Sequence, residues 1–158
     1  LDIYIGLGSN LGESRSHIRD AIEEIKSINN CDLIKKSSLY KTPPMGPPDQ
    51  PDYINAVIKI QSSVRAIELL DELHEIEQIH GRVREVKWGP RSLDLDILIY
   101  GSLKFDTYKL KIPHPGLYDR AFVLYPILEI EPELTLPNGV SLVEHIELMG
   151  KQDIVKLT

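Results

Sequence analysis

The spacing of apolar residues changes several times along the chain, and each change predicts an element. Ile3, Ile5 and Leu7 fall at period two, so residues 3–8 read as a strand that Ser9-Asn10-Leu11-Gly12 closes. Over residues 13–28 the period lengthens. Ile18, Ala21, Ile22, Ile25 and Ile28 recur at three and four, with Arg19, Glu23, Glu24 and Lys26 between them, which predicts an amphipathic helix. Residues 32–41 read as a second strand. Residues 53–61 read as a third, with Ile54, Ala56, Ile58 and Ile60 on one face and Tyr53 and Asn55 on the other. Leu69, Leu70, Leu73 and Ile76 predict a second helix over 66–80. Leu93, Leu95, Ile97 and Ile99 then alternate with Asp94, Asp96, Leu98 and Tyr100 to give a fourth strand.

The resulting order, β-α-β-β-α-β, is that of a ferredoxin-like α+β core, with a mainly antiparallel sheet and both helices on one face. After Gly101 the pattern predicts a short extra hairpin, a turn near 117–120 and C-terminal helical structure around 142–149. The apolar run over 121–128 is interrupted by Pro126. Repeats and low-complexity linkers are absent from the sequence, and 158 residues suit one domain spanning 1–158. No apolar stretch approaches the roughly 18–20 residues needed to span a bilayer, and the first residues lack the basic and apolar regions of a secretory signal. A cytoplasmic protein with no membrane partner is expected. Cys31 is the only cysteine, which excludes an internal disulfide and a cysteine metal cluster and suits a reducing compartment. The chain begins at Leu1 rather than Met, so the expectation covers a monomer or one domain cut from a longer polypeptide.

Charge sharpens the picture. A formal net charge of −6 argues against general nucleic-acid binding. Within residues 82–91, however, Arg82, Arg84, Lys87 and Arg91 stand against Glu85 alone, on a loop marked by Gly81, Gly89 and Pro90. Arginine forks suit phosphate oxygens. Directly after this loop, Asp94 and Asp96 share one face of a strand, about 6.5–7 Å apart, where two carboxylates can hold one Mg²⁺ or bridge two. A bare Asp-x-Asp is more often a solvated strand face. In a central strand, though, two unpaired carboxylates cost free energy unless a cation or donor meets them, so the combination reads as a polyphosphate–Mg²⁺ site.

Other features add detail. Gly6-Leu7-Gly8-Ser9-Asn10-Leu11 lacks the last glycine of a dinucleotide fingerprint, and no Walker-type loop exists, so the glycines read first as a tight strand-to-helix turn. Five of the eleven prolines lie in residues 42–52, giving an ordered loop. Beside it, Tyr53 and Asn55 could stack on and read the edge of a flat heterocycle, or be ordinary sheet surface. Pro113-His114-Pro115 holds a histidine with little backbone freedom, which suits a ligand contact, although a lone histidine is most often structural. Phe122 is by default a core aromatic.

Taken in order, Gly8-Ser9-Asn10-Leu11-Gly12, Tyr40-x-Thr42-Pro43-Pro44-x-Gly46-Pro47, Gln50-Pro51-Asp52-Tyr53-x-Asn55, Gly81-Arg82-x-Arg84, Trp88-Gly89-Pro90-Arg91-x-x-Asp94-x-Asp96-Ile97, Pro113-His114 and Arg120-x-Phe122 resemble the 6-hydroxymethyl-7,8-dihydropterin pyrophosphokinases of folate biosynthesis. The resemblance runs from about Tyr4 to Leu134. It implies a ferredoxin-like enzyme that moves pyrophosphate from ATP to the hydroxymethyl group of the pterin and releases AMP, with two Mg²⁺ ions and ATP as co-substrate. It further implies that Asp94 and Asp96 hold the metal, and that Tyr53 and Phe122 sandwich a pterin lined by Thr42, Pro43, Met45, Asn55, Trp88 and Asp94. Glu77, Arg82, Arg84, Trp88, Arg91, Ile97, Lys109, Lys111, His114 and Arg120 are implied around ATP, with Arg82, Arg91 and Asp96 closest to catalysis. The residue after His114 is Pro115, where better-known members often carry an aromatic. Two other readings compete: a ferredoxin-like regulatory module that binds a small metabolite, and a single-strand RNA-binding module, which would want a basic sheet face.

Overall fold

In the computed structural model, which describes residues 1–44, 49–81 and 92–157, the chain forms a mixed helix and antiparallel-sheet structure. The elements are β1 (Asp2–Ser9), α1 (Ser14–Lys26), β2 (Cys31–Lys36), β3 (Tyr40–Thr42), β4 (Tyr53–Ser62), α2 (Ala66–Ile79), β5 (Asp94–Tyr100), β6 (Phe105–Asp106), β7 (Lys111–Ile112), α3 (Ala121–Ile130), α4 (Leu142–Met149) and β8 (Val155–Lys156). The main sheet runs β5-β1-β4-β3-β8, with β2 also on β4, and its pairings are antiparallel. β6 and β7 make the separate hairpin expected after Gly101. No helix among the described residues is long and apolar enough to cross a membrane.

The sheet buries both faces. On one, Ile3, Ile5, Leu7, Ala56, Ile58, Ile60, Leu95 and Ile97 meet Ile18, Ala21, Ile22 and Ile25 of α1 and Leu69, Leu73 and Ile76 of α2. These are the residues whose periodicities matched in the sequence, and each large side chain fully buried there contributes about 1.5–3 kcal/mol. On the other face, Tyr4, Val57, Leu98 and Ile99 pack against Val123, Leu124, Ile127 and Ile130 of α3 and Leu142 at the start of α4.

Three details depart from the sequence expectation. The strand expected over 32–41 is split in two: Lys36 opposes Ile58 and Tyr40 opposes Asn55, so three residues face two. The Ser37 hydroxyl accepts from Val57 N at 2.9 Å and keeps that backbone donor satisfied. The fourth strand also bulges, since Tyr4 opposes Ile99 while Ile5 opposes Ile97. Leu98 is therefore an extra residue, and beyond it the faces exchange: Ile99 lies against α3, whereas Tyr100 lies with the α1–α2 core. Strict alternation had placed Ile99 with Leu95 and Ile97. Finally, the run broken by Pro126 is a continuous helix, α3, with Pro126 buried inside it. Burial of Val123, Leu124, Ile127 and Ile130 outweighs the roughly 3 kcal/mol that an interior proline costs a helix.

Two glutamates fasten α3 to the sheet. Glu129 accepts from the Ser38 amide at 2.9 Å, the Ser38 hydroxyl at 2.7 Å and the Tyr40 hydroxyl at 2.8 Å. Just past the helix, Glu131 accepts from Lys59 Nζ at 2.5 Å and from the Tyr4 hydroxyl at 3.1 Å. The Lys59 hydrogen bond holds the Glu131 carboxyl below its ordinary value, against the opposing effect of burial. A carboxyl lowered on folding adds stability above its unfolded pKa and loses it as pH falls through the folded one. Glu131→Gln is expected to cost about 1–3 kcal/mol at neutral pH, as for a hydrogen bond to a charged group. In urea melts this loss should shrink as the medium is acidified below the ordinary glutamate range; an equal loss at all pH values would show the ion pair to be inert.

Candidate functional site

The site lies on the face that α3 covers only in part. Val57 and Leu98 sit beneath the helix. Towards the other end of the same face, the strands present Gly6 and Gly8 from β1, Tyr53 and Asn55 from β4, and Asp94 and Asp96 from β5. Register aligns them: Gly8 opposes Asn55 on one side and Asp94 on the other, and Gly6 opposes Asp96. The two carboxylates therefore face glycines, and no side chain from β1 fills the space beside them. The glycines thus act within the strand, where Leu98 approaches Gly6 and the Asn55 amide approaches Gly8, as well as preceding the turn to α1.

Gly8 is required by what lies over it. A Cβ at this position would stand 2.9 Å from Asn55 Oδ1 and 3.9 Å from Tyr53 Cδ1. Asn55 is buried, and its Nδ2 donates to Thr42 Oγ1 at 3.2 Å. Thr42, Asn55 and Tyr53 are thus brought together by β3 and β4, with Tyr53 directly opposite Thr42. Asn10, also buried, donates from Nδ2 to Gln50 Oε1 and to the Pro51 carbonyl, both at 3.1 Å. This contact ties the β1–α1 turn to the proline-rich loop. Sequence reasoning treated both turns but missed the tie, because an amide forty residues from its acceptor leaves no local periodic signal.

At the free edge of β5 a cleft of about 280 Å³ is lined by Leu70, His74 and Glu77 of α2, Leu95, Asp96 and Ile97, the 108–111 hairpin, His114 and Pro115. It brings together Glu77, Ile97, Lys109, Lys111 and His114, which the sequence assigned to one ligand. Glu77 is buried and accepts from the Leu95 amide at 2.8 Å, so one of its roles is to satisfy the outer edge of β5. His74 and Tyr108 line the cleft as well; neither was singled out from sequence, and Tyr108, fully exposed on the hairpin, carries no burial pattern to reveal it.

His114 connects this cleft to the carboxylates. Its Nδ1 accepts from the Gly116 amide at 2.9 Å, which leaves the proton of the neutral ring on Nε2, 3.7 Å from Asp96 Oδ1. Burial lowers its pKa; the Asp96 charge opposes that and Arg120 adds to it. Arg120 and Phe122 sit at the N-terminus of α3, the guanidinium 5.6 Å from the Phe122 ring centre. Phe122 packs against the α3 side of the core and so borders the same sheet face. Pro43 is exposed beside Thr42. Met45, Arg82, Arg84, Trp88 and Arg91 lie outside the described residues.

The donor set around Asp94 and Asp96 suits Mg²⁺. Among the described residues no three carboxylate, imidazole or thiol groups converge on a metal position. Mg²⁺ does not need them, since it is commonly held by one or two carboxylates with phosphate oxygens and water completing the shell.

Comparison with known proteins follows the same lines. Residues 4–132 match the family described as 7,8-dihydro-6-hydroxymethylpterin-pyrophosphokinase (HPPK). The 2-amino-4-hydroxy-6-hydroxymethyldihydropteridine pyrophosphokinase of Haemophilus influenzae is 44% identical over 154 residues, 98% of this chain and 96% of the relative. Its Pseudomonas aeruginosa counterpart is 44% identical over 155 residues, with the same coverage. The Folic acid synthesis protein fol1 of Pneumocystis carinii is 44% identical over 96% of this chain, which spans only 20% of that protein. Among solved structures, an HPPK-DHPS complexed with substrates superposes with a TM-score of 0.77 at 12% identity, covering 99% of this chain. This chain spans about half of that one, 48%, and at such identity the likeness speaks for the fold alone.

Proposed function

The chain belongs to the 7,8-dihydro-6-hydroxymethylpterin-pyrophosphokinase family, and on that premise we propose how its residues divide the work. The enzyme transfers pyrophosphate from ATP to the hydroxymethyl group of 6-hydroxymethyl-7,8-dihydropterin and releases AMP, a step of folate biosynthesis. The observation that carries the residue assignment is the row Asp94, Gly8 and Asn55, with Asp96 beside it, on one sheet face.

In this reading the pterin lies over Gly8, its edge read by Asn55 and Thr42, its rings between Tyr53 and Phe122, with Pro43, Met45 and Trp88 lining the remainder. ATP occupies the cleft along β5. Ile97 and Glu77 border its nucleoside; Lys109, Lys111, His114 and Arg120 approach its phosphates, joined by Arg82, Arg84, Trp88 and Arg91. The pterin oxygen forms a bond to the β-phosphorus, the bond from that phosphorus to the oxygen bridging to the α-phosphate breaks, and AMP departs with the bridging oxygen while the hydroxyl proton is lost. Such a displacement needs chiefly alignment and charge neutralisation. Neutral His114 offers its Nε2 proton without adding a buried charge. Arg82 and Arg91 balance charge on the transferred and leaving oxygens. Asp94 and Asp96 would hold two Mg²⁺ ions, which supply neutralisation of the phosphate charge. Asp96 is the candidate to receive the hydroxyl proton, through the metal site it would help form.

The topology supports a ferredoxin-like core, because β5-β1-β4-β2 is the strand order that such a βαββαβ unit takes. We read residues 1–158 as one domain working in the cytoplasm, as a monomer or within a longer polypeptide of the pathway. A regulatory metabolite module, the other reading of the sequence, has no use for a carboxylate pair beside a cationic loop. Incubation with ATP, Mg²⁺ and the reduced pterin alcohol should yield AMP and the pterin pyrophosphate in equal amounts. ADP as the nucleotide product, or no pterin-dependent turnover, would refute the assignment.

A further inference from the structure

Away from the sheet face, two histidines meet between the helices. His17 Nδ1 on α1 lies 2.6 Å from Nδ1 of His80, the residue that caps α2, and their rings meet edge-on with centroids 4.9 Å apart. His80 Nε2 lies 2.6 Å from Glu24 Oε1, about two helical turns beyond His17 along α1. The His80 side chain is only 7% exposed. On its other side, the His17 ring abuts the Gly12 turn: a Cβ on Gly12 would be 3.4 Å from His17 Nε2.

Donor and acceptor bookkeeping limits what this trio can hold. A carboxylate only accepts, so His80 Nε2 carries a hydrogen. The contact between the two Nδ1 atoms then needs one hydrogen between two nitrogens. With both rings neutral, His17 donates and its Nε2 is bare. One added proton enters at His17 Nε2 and leaves the Nδ1–H–Nδ1 bridge intact, now charge-assisted and shared by both rings, with Glu24 balancing the charge. A second added proton puts a hydrogen on each Nδ1, and at 2.6 Å the two rings must part. Among the described residues, the other charged groups within a turn of the pair are Glu13 at the N-cap of α1, Arg15, Arg19 and Asp20 on α1, all exposed, and Glu77 on α2, whose carboxylate is engaged by the Leu95 amide. Arg82 and Arg84 follow in sequence outside the described residues.

We propose that His17, His80 and Glu24 form a proton-counting latch that holds the start of α1 to the end of α2 with zero or one added proton and releases it with two. His80 stands one turn after Glu77, so the latch positions the α2 wall of the β5 cleft, and His17 braces the turn that follows Asn10. These are positioning residues; the latch itself stands on the His17, His80 and Glu24 geometry, and only its effect on KM rests on the ATP reading above.

The test is an imidazole ¹⁵N NMR titration of the full chain from pH 8 to 5, beside His17→Gln and His80→Gln. In the parent protein both rings are expected to shift together in a first step and again in a separate second step at lower pH, as for two coupled sites. Each single variant should show one ordinary step for its remaining histidine. Glu24→Gln keeps an acceptor for His80 Nε2 but removes the charge, and should move the first step to lower pH. In activity assays the KM for ATP should rise across the second step with kcat little changed, and this rise should be missing from His17→Gln. Parent titration curves that superpose on those of the single variants, or a first step unmoved by Glu24→Gln, would overturn the latch.

Discussion

Alanine at Asp94 or at Asp96 is expected to abolish pyrophosphoryl transfer and leave the fold in place. Both residues belong to the half of β5 that faces away from the α1–α2 core, whereas Leu95 and Ile97, between and beyond them, carry the packing. Their register partners on β1 are Gly8 and Gly6, so neither carboxylate packs against a β1 side chain. The chemistry loses far more. Without either carboxylate the phosphate charge is held by cations alone, and a loss of about 10³-fold or more in kcat/KM, some 4 kcal/mol of transition-state stabilisation, is expected. Asp96→Asn keeps the size of the side chain beside His114 but not its charge and should be as impaired. AMP release at saturating Mg²⁺, read beside a thermal melt, checks this; near-normal turnover in either alanine variant would remove the metal assignment.

Gly8→Ala should damage use of the pterin selectively. Its methyl group would stand 2.9 Å from Asn55 Oδ1, closer than such atoms can approach. The amide cannot simply swing aside, because it is buried and its nitrogen donates to Thr42. Turning it redirects the group assigned to read the pterin edge, and a misplacement of this kind costs about 10²-fold in kcat/KM. The loss should fall on the KM for the pterin, with that for ATP nearly unchanged, since the cleft assigned to ATP lies on the far edge of β5. Gly8→Val should be worse in the same direction. Equal pterin KM values in Gly8→Ala and the parent would show that Asn55 does not read the substrate.

How much of this was legible beforehand depends on the range of each interaction. The α1 and α2 stripes and the alternation of β1 and β4 were readable because burial on a helix or strand repeats with the local geometry. The Leu98 bulge was not, because nothing in Asp94 to Tyr100 distinguishes a strand that keeps its faces from one that exchanges them; the demand comes from α3, which needs Ile99 beneath it. α3 likewise was not among the expected elements: Pro126 interrupts its apolar run, and tertiary burial makes the helix nonetheless. For the site, Asp94, Asp96, Asn55 and His114 stood out by their residue types and local spacing. The approach of the Asn55 amide to Gly8, the tie from Asn10 to Gln50 and Pro51, and His74 and Tyr108 in the cleft required strands and loops to be brought side by side.

By itself, then, the sequence determined which residues could do the chemistry: a carboxylate pair on one strand face, a cationic segment just before it, an aromatic and an amide on another strand. These follow from side-chain type and from periods of two and 3.6 residues. Only the tertiary structure decided that the carboxylate pair, the aromatic and the amide share one surface. The register between β5, β1 and β4 sets Asp94, Gly8 and Asn55 in a row, and α3 stops short of covering it. Register is a relation between residues roughly fifty and ninety positions apart, chosen by which faces can be buried together, and no local pattern encodes it.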